Sequence, residues 1–272
     1  SNPNNRELMF YMNVDKQKAK NAFAQYVRNY NTSDEKIRLK IEHTYKVCGL
    51  CEIIAKDIGL SDEEIDIAWL IGLLHDIGRF EQVRKYGTFS DAQSIDHAVY
   101  GAQILFDDGK IRDYILDSSI DSLIRTAIET HSLYKLPDNL DEHTKMFCDI
   151  IRDADKIDIM RVNVETPLEE IYNVSSKDLM NSPITPEVMQ SFYEEHATLR
   201  SLKKTPIDNL VGHISLVYEL VYPISTRLVH EQGFLEKMMS FESDNPQTRE
   251  QFSQIRAHIT EFINNKINKG GI

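Results

Sequence analysis

The segment "DIAWLIGLLHDIGRFEQ", residues 66–82, joins a strongly apolar run to the adjacent ionisable pair His75 and Asp76. Burying such side chains costs free energy unless they are paired or bound to a cation. The apolar run is too short and too interrupted to span a bilayer. The segment therefore predicts a buried helix that ends in a polar site.

The composition predicts an all-α fold, because the 272 residues include only 11 Gly and 8 Pro. Apolar residues recur at helical spacing, and no convincing alternating strand is found. A capping box of Ser61 and Glu64 opens the helix that carries the quoted segment, and Gly78 is expected to end it. The other predicted helices are 15–30, 34–58 (capped by Ser33 or Asp34), 95–106, 118–135 (ended by Pro137), 141–162, 207–236 (kinked at Pro223) and 246–268, with an irregular loop at 85–93.

Three parts of the chain are distinguished by their patterns. We expect an N-terminal helix and tail over residues 1–33 and a helical core over 34–165. Beyond residue 166, prolines punctuate shorter helices. We expect residues 166–272 to form a C-terminal helical extension that packs on the core in a single structural unit.

The formal net charge of −12 argues against long nucleic acids or anionic membranes as partners. No basic and then apolar leader pattern opens the chain. Together with only three cysteines, this favours a cytoplasmic protein. Cys48 and Cys51 form a CxxC pair, which suits a redox pair or half a zinc site. Two small buried side chains one helical turn apart are the favoured interpretation.

Five predicted helices each direct a side chain that can bind a metal toward the core: His43, His75, His97, His131 and Asp155. Each of these residues shares a helical face with apolar neighbours. A single histidine on an apolar face is more often a core residue with a satisfied hydrogen bond than a ligand. Five convergent positions instead favour a shared cation.

The remaining histidines do not join this set. His143 lies in a polar helix start and is expected to be exposed. His196, His213, His230 and His258 show no acidic partner at ligand spacing, and we expect them at the edge of the core or on the surface.

The ordered set His43, His75–Asp76 and Asp155 resembles the H…HD…D signature of the HD superfamily of metal-dependent phosphohydrolases, over about residues 34–162. The resemblance implies an HD-domain helical bundle with a metal at its centre, bound by His43, His75, Asp76 and Asp155. His97 and His131 match the further histidines of members with two metals, in which Asp76 would bridge both ions. The implied cofactors are two divalent transition metal ions, Fe, Mn, Co or Ni, with Mg also possible.

Arg79 departs from the mononuclear branch, which is similar in the first four ligands and has Glu at that place. Dinuclear members usually carry Lys there to bind an anionic substrate. Arg79 could bind phosphate in the same way, or complement a helix dipole. The chain lacks a GYP motif after "HDIGR", which argues against a cyclic-di-GMP phosphodiesterase of the HD-GYP type.

The resemblance makes Asp76, Arg79, Lys156 and Asp158 the catalytic candidates. Lys156 could equally be a solvated surface lysine, whereas Asp158 lies on the ligand face and could orient a ligand. Arg161 is a further candidate as a helper near the metals. Glu81, which is expected in a loop, is a weaker candidate for proton transfer. Asp96 is interpreted as a helix N-cap.

The predicted function is that of a hydrolase that cleaves a phosphate ester or anhydride of a nucleotide or similar small phosphorylated substrate by metal-bound hydroxide. Two other functions are compatible with the pattern. A di-iron oxygenase could use the same six ligands, and a non-catalytic nucleotide or metal sensor could retain them. The oligomeric state is left open.

Overall fold

The computed structural model describes residues 14–269, and within this range all regular structure is helical, with no strand. This confirms the predicted all-α fold. The helices are α1 (Lys16–Val27), α2 (Glu35–Asp57), α3 (Asp62–Leu74), α4 (Ile77–Tyr86), α5 (His97–Ala102), α6 (Asp121–Thr130), α7 (Glu142–Glu165), α8 (Leu168–Tyr172), α9 (Ser176–Asn181), α10 (Pro186–Tyr193), α11 (Pro206–Ile214), α12 (Pro223–Gln232), α13 (Phe234–Met239) and α14 (Pro246–Lys269).

The chain divides into two compact units, one ending at Ala154 and the other beginning at Asp155. Helix α7 runs through this point without a break. The part boundaries proposed from the sequence, 1–33, 34–165 and 166–272, remain predictions, and the tail before residue 14 lies outside the described residues. No helix within residues 14–269 is both long enough and apolar enough to cross a membrane.

In the first unit, α2 and α3 pack against each other through Gly72. A Cβ atom at Gly72 would lie 3.1 Å from Cys48 Cα and 3.2 Å from Cys51 Sγ. Both cysteines are buried free thiols, and burial raises the pKa of Cys48. The CxxC pair is therefore part of the interface between α2 and α3. This agrees with the interpretation of Cys48 and Cys51 as two small buried side chains.

Helix α3 begins as predicted and ends earlier than predicted. Ser61 Oγ accepts from the Glu64 amide at 3.3 Å, and Glu64 reaches back to the Ser61 amide at 3.4 Å. The helix ends at Leu74, because Asp76 leaves helical geometry at φ −107° and ψ 16°. Gly78 does not end α3. It lies in the first turn of α4.

Other predicted boundaries also differ. The loop expected at 85–93 lies instead between α4 and α5 and contains a 3₁₀ turn, Asp91–Gln93. Helix α6 ends at Thr130 rather than near Pro137, because Arg152 donates to the carbonyl oxygens of Thr130 at 3.0 Å and Leu133 at 2.7 Å. The helix expected over 207–236 is broken rather than kinked, since Pro223 begins α12 at its first turn, after an extended Leu220.

The second unit has a buried carboxylate that organises its helix starts. Asp208 has no exposed surface and accepts from the amides of Thr185 at 2.9 Å, Lys204 at 2.8 Å and Thr205 at 2.9 Å. These bonds satisfy amides at the N-terminus of α11 and just before α10. The second unit is thus ordered around its own polar centre.

Candidate metal centre

Four histidines and Asp76 converge in the first unit from the ends or middle of different helices. His43 lies within α2, His75 and Asp76 lie between α3 and α4, His97 opens α5, and His131 follows α6. Between 0 and 4% of each residue is exposed. The structure therefore brings these five predicted ligands together in a buried position.

Each carboxylate oxygen of Asp76 faces a different pair of histidines. Asp76 Oδ2 lies 3.5 Å from the Nε2 atoms of both His43 and His75. Asp76 Oδ1 lies 3.4 Å from His97 Nε2 and 3.5 Å from His131 Nε2. In each of these two groups, all three ligand atoms lie within 4.8 Å of one another. We call them the first pocket and the second pocket.

The outer ring nitrogens are held by hydrogen bonds. His75 Nδ1 lies 2.7 Å from the carbonyl oxygen of Gly72, and His131 Nδ1 lies 2.6 Å from that of Ile128. A carbonyl can only accept, so Nδ1 carries the proton and Nε2 presents its lone pair to the pocket.

The pockets fit cations because their inward atoms are electron donors at close range. His43 Nε2 lies 3.3 Å from His75 Nε2, and His97 Nε2 lies 3.1 Å from His131 Nε2. Facing lone pairs around a buried carboxylate repel one another unless a positive charge lies among them. Imidazole and carboxylate donors of this kind suit divalent transition metals. The residues therefore could hold a metal in each pocket.

The charge of Asp76 is maintained by its surroundings. Burial opposes ionisation, but nearby positive charge, including the ammonium group of Lys40, lowers the pKa of Asp76 well below its usual range. Lys40 Nζ lies 3.1 Å from Asp76 Oδ2. Asp76 is thus an anion in the folded protein.

Lys40 was not predicted from the sequence, although a signal was present. Lys40 precedes His43 by three residues in α2, so the two side chains share a face of the helix. Its side chain is 15% exposed, and its Nζ atom lies 5.1 Å from the centre of the Phe89 ring. Lys40 therefore lies beside the first pocket and partly open to solvent.

Arg79 is engaged by the segment that follows α4. Its Nη1 atom donates to Gln82 Oε1 at 2.8 Å, to the carbonyl oxygen of Phe89 at 2.7 Å and to Asp91 Oδ1 at 2.9 Å. Its role as a substrate contact stays a prediction. The contacts of Arg79 Nη1 with Phe89 and Asp91 hold this segment against α4.

Asp91 was also missed by the sequence analysis. Its Oδ2 atom lies 2.6 Å from His97 Nδ1, so it anchors the ring of a predicted ligand. The nearby Asp96 accepts from the amides of Ala98 and Val99, in agreement with its interpretation as the N-cap of α5. Asp91 lies in an irregular segment, where spacing does not indicate the direction of a side chain.

The remaining candidates on α7 lie in the second unit. Asp155 is the first residue of that unit, and its role as a ligand stays a prediction. Asp158 forms a two-pronged ion pair with Arg161, with N–O distances of 2.7 and 3.0 Å. Lys156 is only 9% exposed, so it is not the solvated surface lysine considered above. The catalytic roles of Lys156 and Asp158 also stay predictions.

Glu81 does not lie in a loop, as the sequence analysis supposed. It lies in α4, where it accepts from Tyr30 Oη at 2.9 Å and pairs with Arg84. These contacts turn it toward α1, and they support a structural role rather than proton transfer.

The other histidines differ partly from expectation. His143 is exposed, as predicted, and lies 3.3 Å from Glu64. His196, His230 and His258 each have a nearby glutamate, at 2.9, 3.8 and 3.1 Å, where no acidic partner was expected. Each forms a two-residue pair rather than a ligand group. His213 instead contacts Asn163 and Tyr172.

Comparison with known proteins agrees with this geometry. Residues 41–160 match the HD domain family, which supports a place for the chain in the HD-domain phosphohydrolase superfamily. The chain is also similar to the 3′3′-cGAMP-specific phosphodiesterase 1 of Vibrio cholerae serotype O1, with 34% identity over 67 residues. These residues are 23% of this chain and 16% of that protein, so the chain matches about a sixth of this curated relative. No solved structure matches the chain.

Proposed function

We propose that the protein is a metal-dependent phosphohydrolase that cleaves a phosphate ester or anhydride of a nucleotide or similar small molecule with two divalent cations. The first pocket, with Asp155 as a further ligand, would hold one ion. The second pocket would hold the other ion, and Asp76 would bridge the two. Fe, Mn, Co and Ni suit these donors, and Mg is also possible.

The arrangement of Asp76 is the observation that carries the proposal. Its two oxygens are directed at two separate pairs of histidine Nε2 atoms, which is what a carboxylate shared by two ions requires. A purely structural buried aspartate would be surrounded by donors. Here Lys40 is a donor to Oδ2, but the Nδ1 hydrogen bonds of His75 and His131 leave acceptor nitrogens facing the carboxylate.

Ions in such pockets would polarise the oxygens of a phosphoryl group and lower the pKa of water. The residues of the chain supply the rest. The anchored rings keep the donor atoms in place before substrate arrives. Lys40 adds a positive charge at the partly open side of the first pocket, where it would stabilise charge on a phosphate.

Two points support a nucleotide substrate. The similar protein from Vibrio cholerae is named as a 3′3′-cGAMP-specific phosphodiesterase. Lys40 and the Phe89 ring, whose centre is 5.1 Å from Lys40 Nζ, offer a cation and an aromatic surface beside the first pocket. Phosphate and base are the groups that such side chains bind.

The test combines metal analysis with a substrate screen. Protein purified without chelating resin should contain close to two transition-metal equivalents. It should release phosphate or mononucleotides from a panel of nucleotides and cyclic dinucleotides, with and without oxygen. Asp76→Ala should lose both metal and activity, because both pockets lose their shared oxygen ligand. His143→Ala is the matched control and should keep both, since His143 is exposed and its ion-pair partner is Glu64.

Two results would contradict the proposal. Turnover that requires oxygen would indicate an oxygenase instead of a hydrolase. Full metal content and activity in Asp76→Ala would remove Asp76 from the centre.

A further inference from the structure

We infer that Asp91 is the positioning residue of the second pocket, holding the ring of His97 so that Nε2 faces Asp76, and that Arg79 acts through Asp91. This inference rests on the proposed two-cation function. It gives Arg79 a role different from the substrate contact predicted from the sequence.

The need for Asp91 follows from the place of His97 in its helix. His75 and His131 are anchored by carbonyl oxygens three residues earlier, Gly72 and Ile128. His97 is the first residue of α5, so no preceding helical turn offers it such a carbonyl. Its Nδ1 atom is bound instead by Asp91 Oδ2 at 2.6 Å.

The second oxygen of Asp91 is fixed by two donors from α4. Asp91 Oδ1 accepts from Arg79 Nη1 and from Gln82 Nε2, both at 2.9 Å. Gln82 is fully buried and also reaches Ser94 Oγ at 3.0 Å and the carbonyl oxygen of Ile95 at 3.2 Å. Both carboxylate oxygens are therefore used, and the carboxylate has little freedom to turn.

This contact chain links the two sides of the second pocket. Arg79 and Gln82 lie in α4, which begins directly after Asp76. His97 is held by Asp91, which α4 holds in turn. The same helix therefore sets the position of Asp76 and, through Asp91, the orientation of His97.

The charges of Arg79 and Asp91 are complementary. The Asp91 carboxylate faces His97 Nδ1 with one oxygen and the Arg79 guanidinium with the other. A carboxylate on Nδ1 makes the opposite nitrogen a better metal ligand. Arg79 offsets the negative charge that this anchor adds.

The first experiment measures cation binding rather than activity. Metal-free protein is titrated with Mn²⁺ by calorimetry, and bound Mn²⁺ is counted by elemental analysis. In Asp91→Ala, the second Mn²⁺ should bind about 10–100-fold more weakly, while the first binds as in the unchanged protein. Retention of the first ion shows that the variant is folded. Arg79→Met should also weaken binding of the second Mn²⁺, but by a smaller factor, because Asp91 still accepts a hydrogen bond from Gln82.

Asp96→Ala is the matched control. Asp96 lies five residues from Asp91 and caps α5, but its recorded hydrogen bonds are to the backbone amides of Ala98 and Val99. It should bind the second Mn²⁺ nearly as the unchanged protein does. An equal loss in Asp96→Ala would mean that the start of α5, and not the contact with the ring, matters. Unchanged binding of two Mn²⁺ ions in Asp91→Ala would overturn the inference.

A second measurement separates this inference from the proposed function. Nitrogen NMR of the imidazole rings in metal-free protein should show His97 with its proton on Nδ1, and Asp91→Ala should shift the proton toward Nε2. If the unchanged protein binds fewer than two ions, the two-cation function fails. The NMR signals of His97 still decide the role of Asp91, and unchanged signals in Asp91→Ala would overturn it.

Discussion

At the scale of single residues, predictability depends on whether a side chain lies on a regular element. The spacing of apolar neighbours indicated the inward direction of His43 and His131, and both are buried beside Asp76. The same argument could have selected Lys40, three residues before His43. It could not select Asp91, because an irregular segment has no periodic relation between sequence and direction.

Lys40→Met tests the pairing of Lys40 with Asp76. In metal-free protein the change leaves a buried carboxylate without its ammonium partner, so the free energy of unfolding should fall by about 2–3 kcal/mol. Lys46→Met, on an exposed position of the same helix, is the control and should change it by less than about 0.5 kcal/mol. Denaturant unfolding of both variants in chelator measures the difference.

The same variant should respond oppositely to metal. Without the ammonium group beside Asp76 Oδ2, the first Mn²⁺ should bind more tightly, because a positive charge is removed from its neighbourhood. A metal-free Lys40→Met protein as stable as the unchanged one would show that the observed 3.1 Å contact contributes no net stability.

At the scale of elements, helix existence was easier to predict than helix ends. The apolar run and capping box located α3, and Gly72 indicated a close helix approach that the structure confirms. The end of α6 depends on contacts distant in sequence. Arg152 binds carbonyl groups after α6 from another helix, and no local pattern near residue 130 reports that contact.

Gly78→Ala tests the approach of α4 to α5. A Cβ at this position would lie 2.7 Å from the amide nitrogen of Gly101 and closer still to the carbonyl oxygen of His97. Because the close atoms belong to the backbone and not to a flexible side chain, α5 should shift as a whole and move His97 away from Asp76. We expect a loss of about 2–4 kcal/mol in the free energy of unfolding and weaker binding of the second Mn²⁺.

Gly49→Ala is the contrasting control for this prediction. Gly49 lies inside α2, and a Cβ there would meet nothing within 4 Å. The change should raise stability by about 0.5–1 kcal/mol, since alanine favours the helix. Thermal unfolding of the two variants should therefore move in opposite directions, and a stable Gly78→Ala that binds two ions normally would contradict the close approach.

At the scale of the whole molecule, composition and helical spacing predicted the class of fold but not the division into two units at Ala154 and Asp155. That division lies within one continuous helix, so no proline, glycine or linker composition marks it. The second unit also contains a polar contact that spacing did not reveal, because His213 is paired with the neutral Asn163 and Tyr172 rather than with an acidic residue.

His213 should make the stability of the protein fall in mild acid. Burial and the charge of Lys203 lower its pKa to about 3, against a weaker opposite effect of Asp155. Asn163 Nδ2 lies 2.9 Å from His213 Nδ1 and can donate to it, which favours the neutral ring. Below an unfolded pKa of about 6.5, the unfolded chain takes up a proton that the folded protein does not. The contribution of His213 to stability is therefore complete above that pH. It is lost as the pH falls toward the pKa of His213 in the folded protein.

The expected size follows from this linkage. Between pH 6.5 and 5.5, His213 should cost about 1 kcal/mol of the free energy of unfolding. His213→Asn should be less stable at pH 7 because it loses ring packing, but its stability should decline less over this interval. His143→Asn, at an exposed position, should keep the decline of the unchanged protein. Denaturant unfolding of metal-free protein at the two pH values measures all three slopes. If the unchanged protein and His213→Asn decline equally, His213 takes up its proton in the folded state, and its burial beside Lys203 does not keep it neutral.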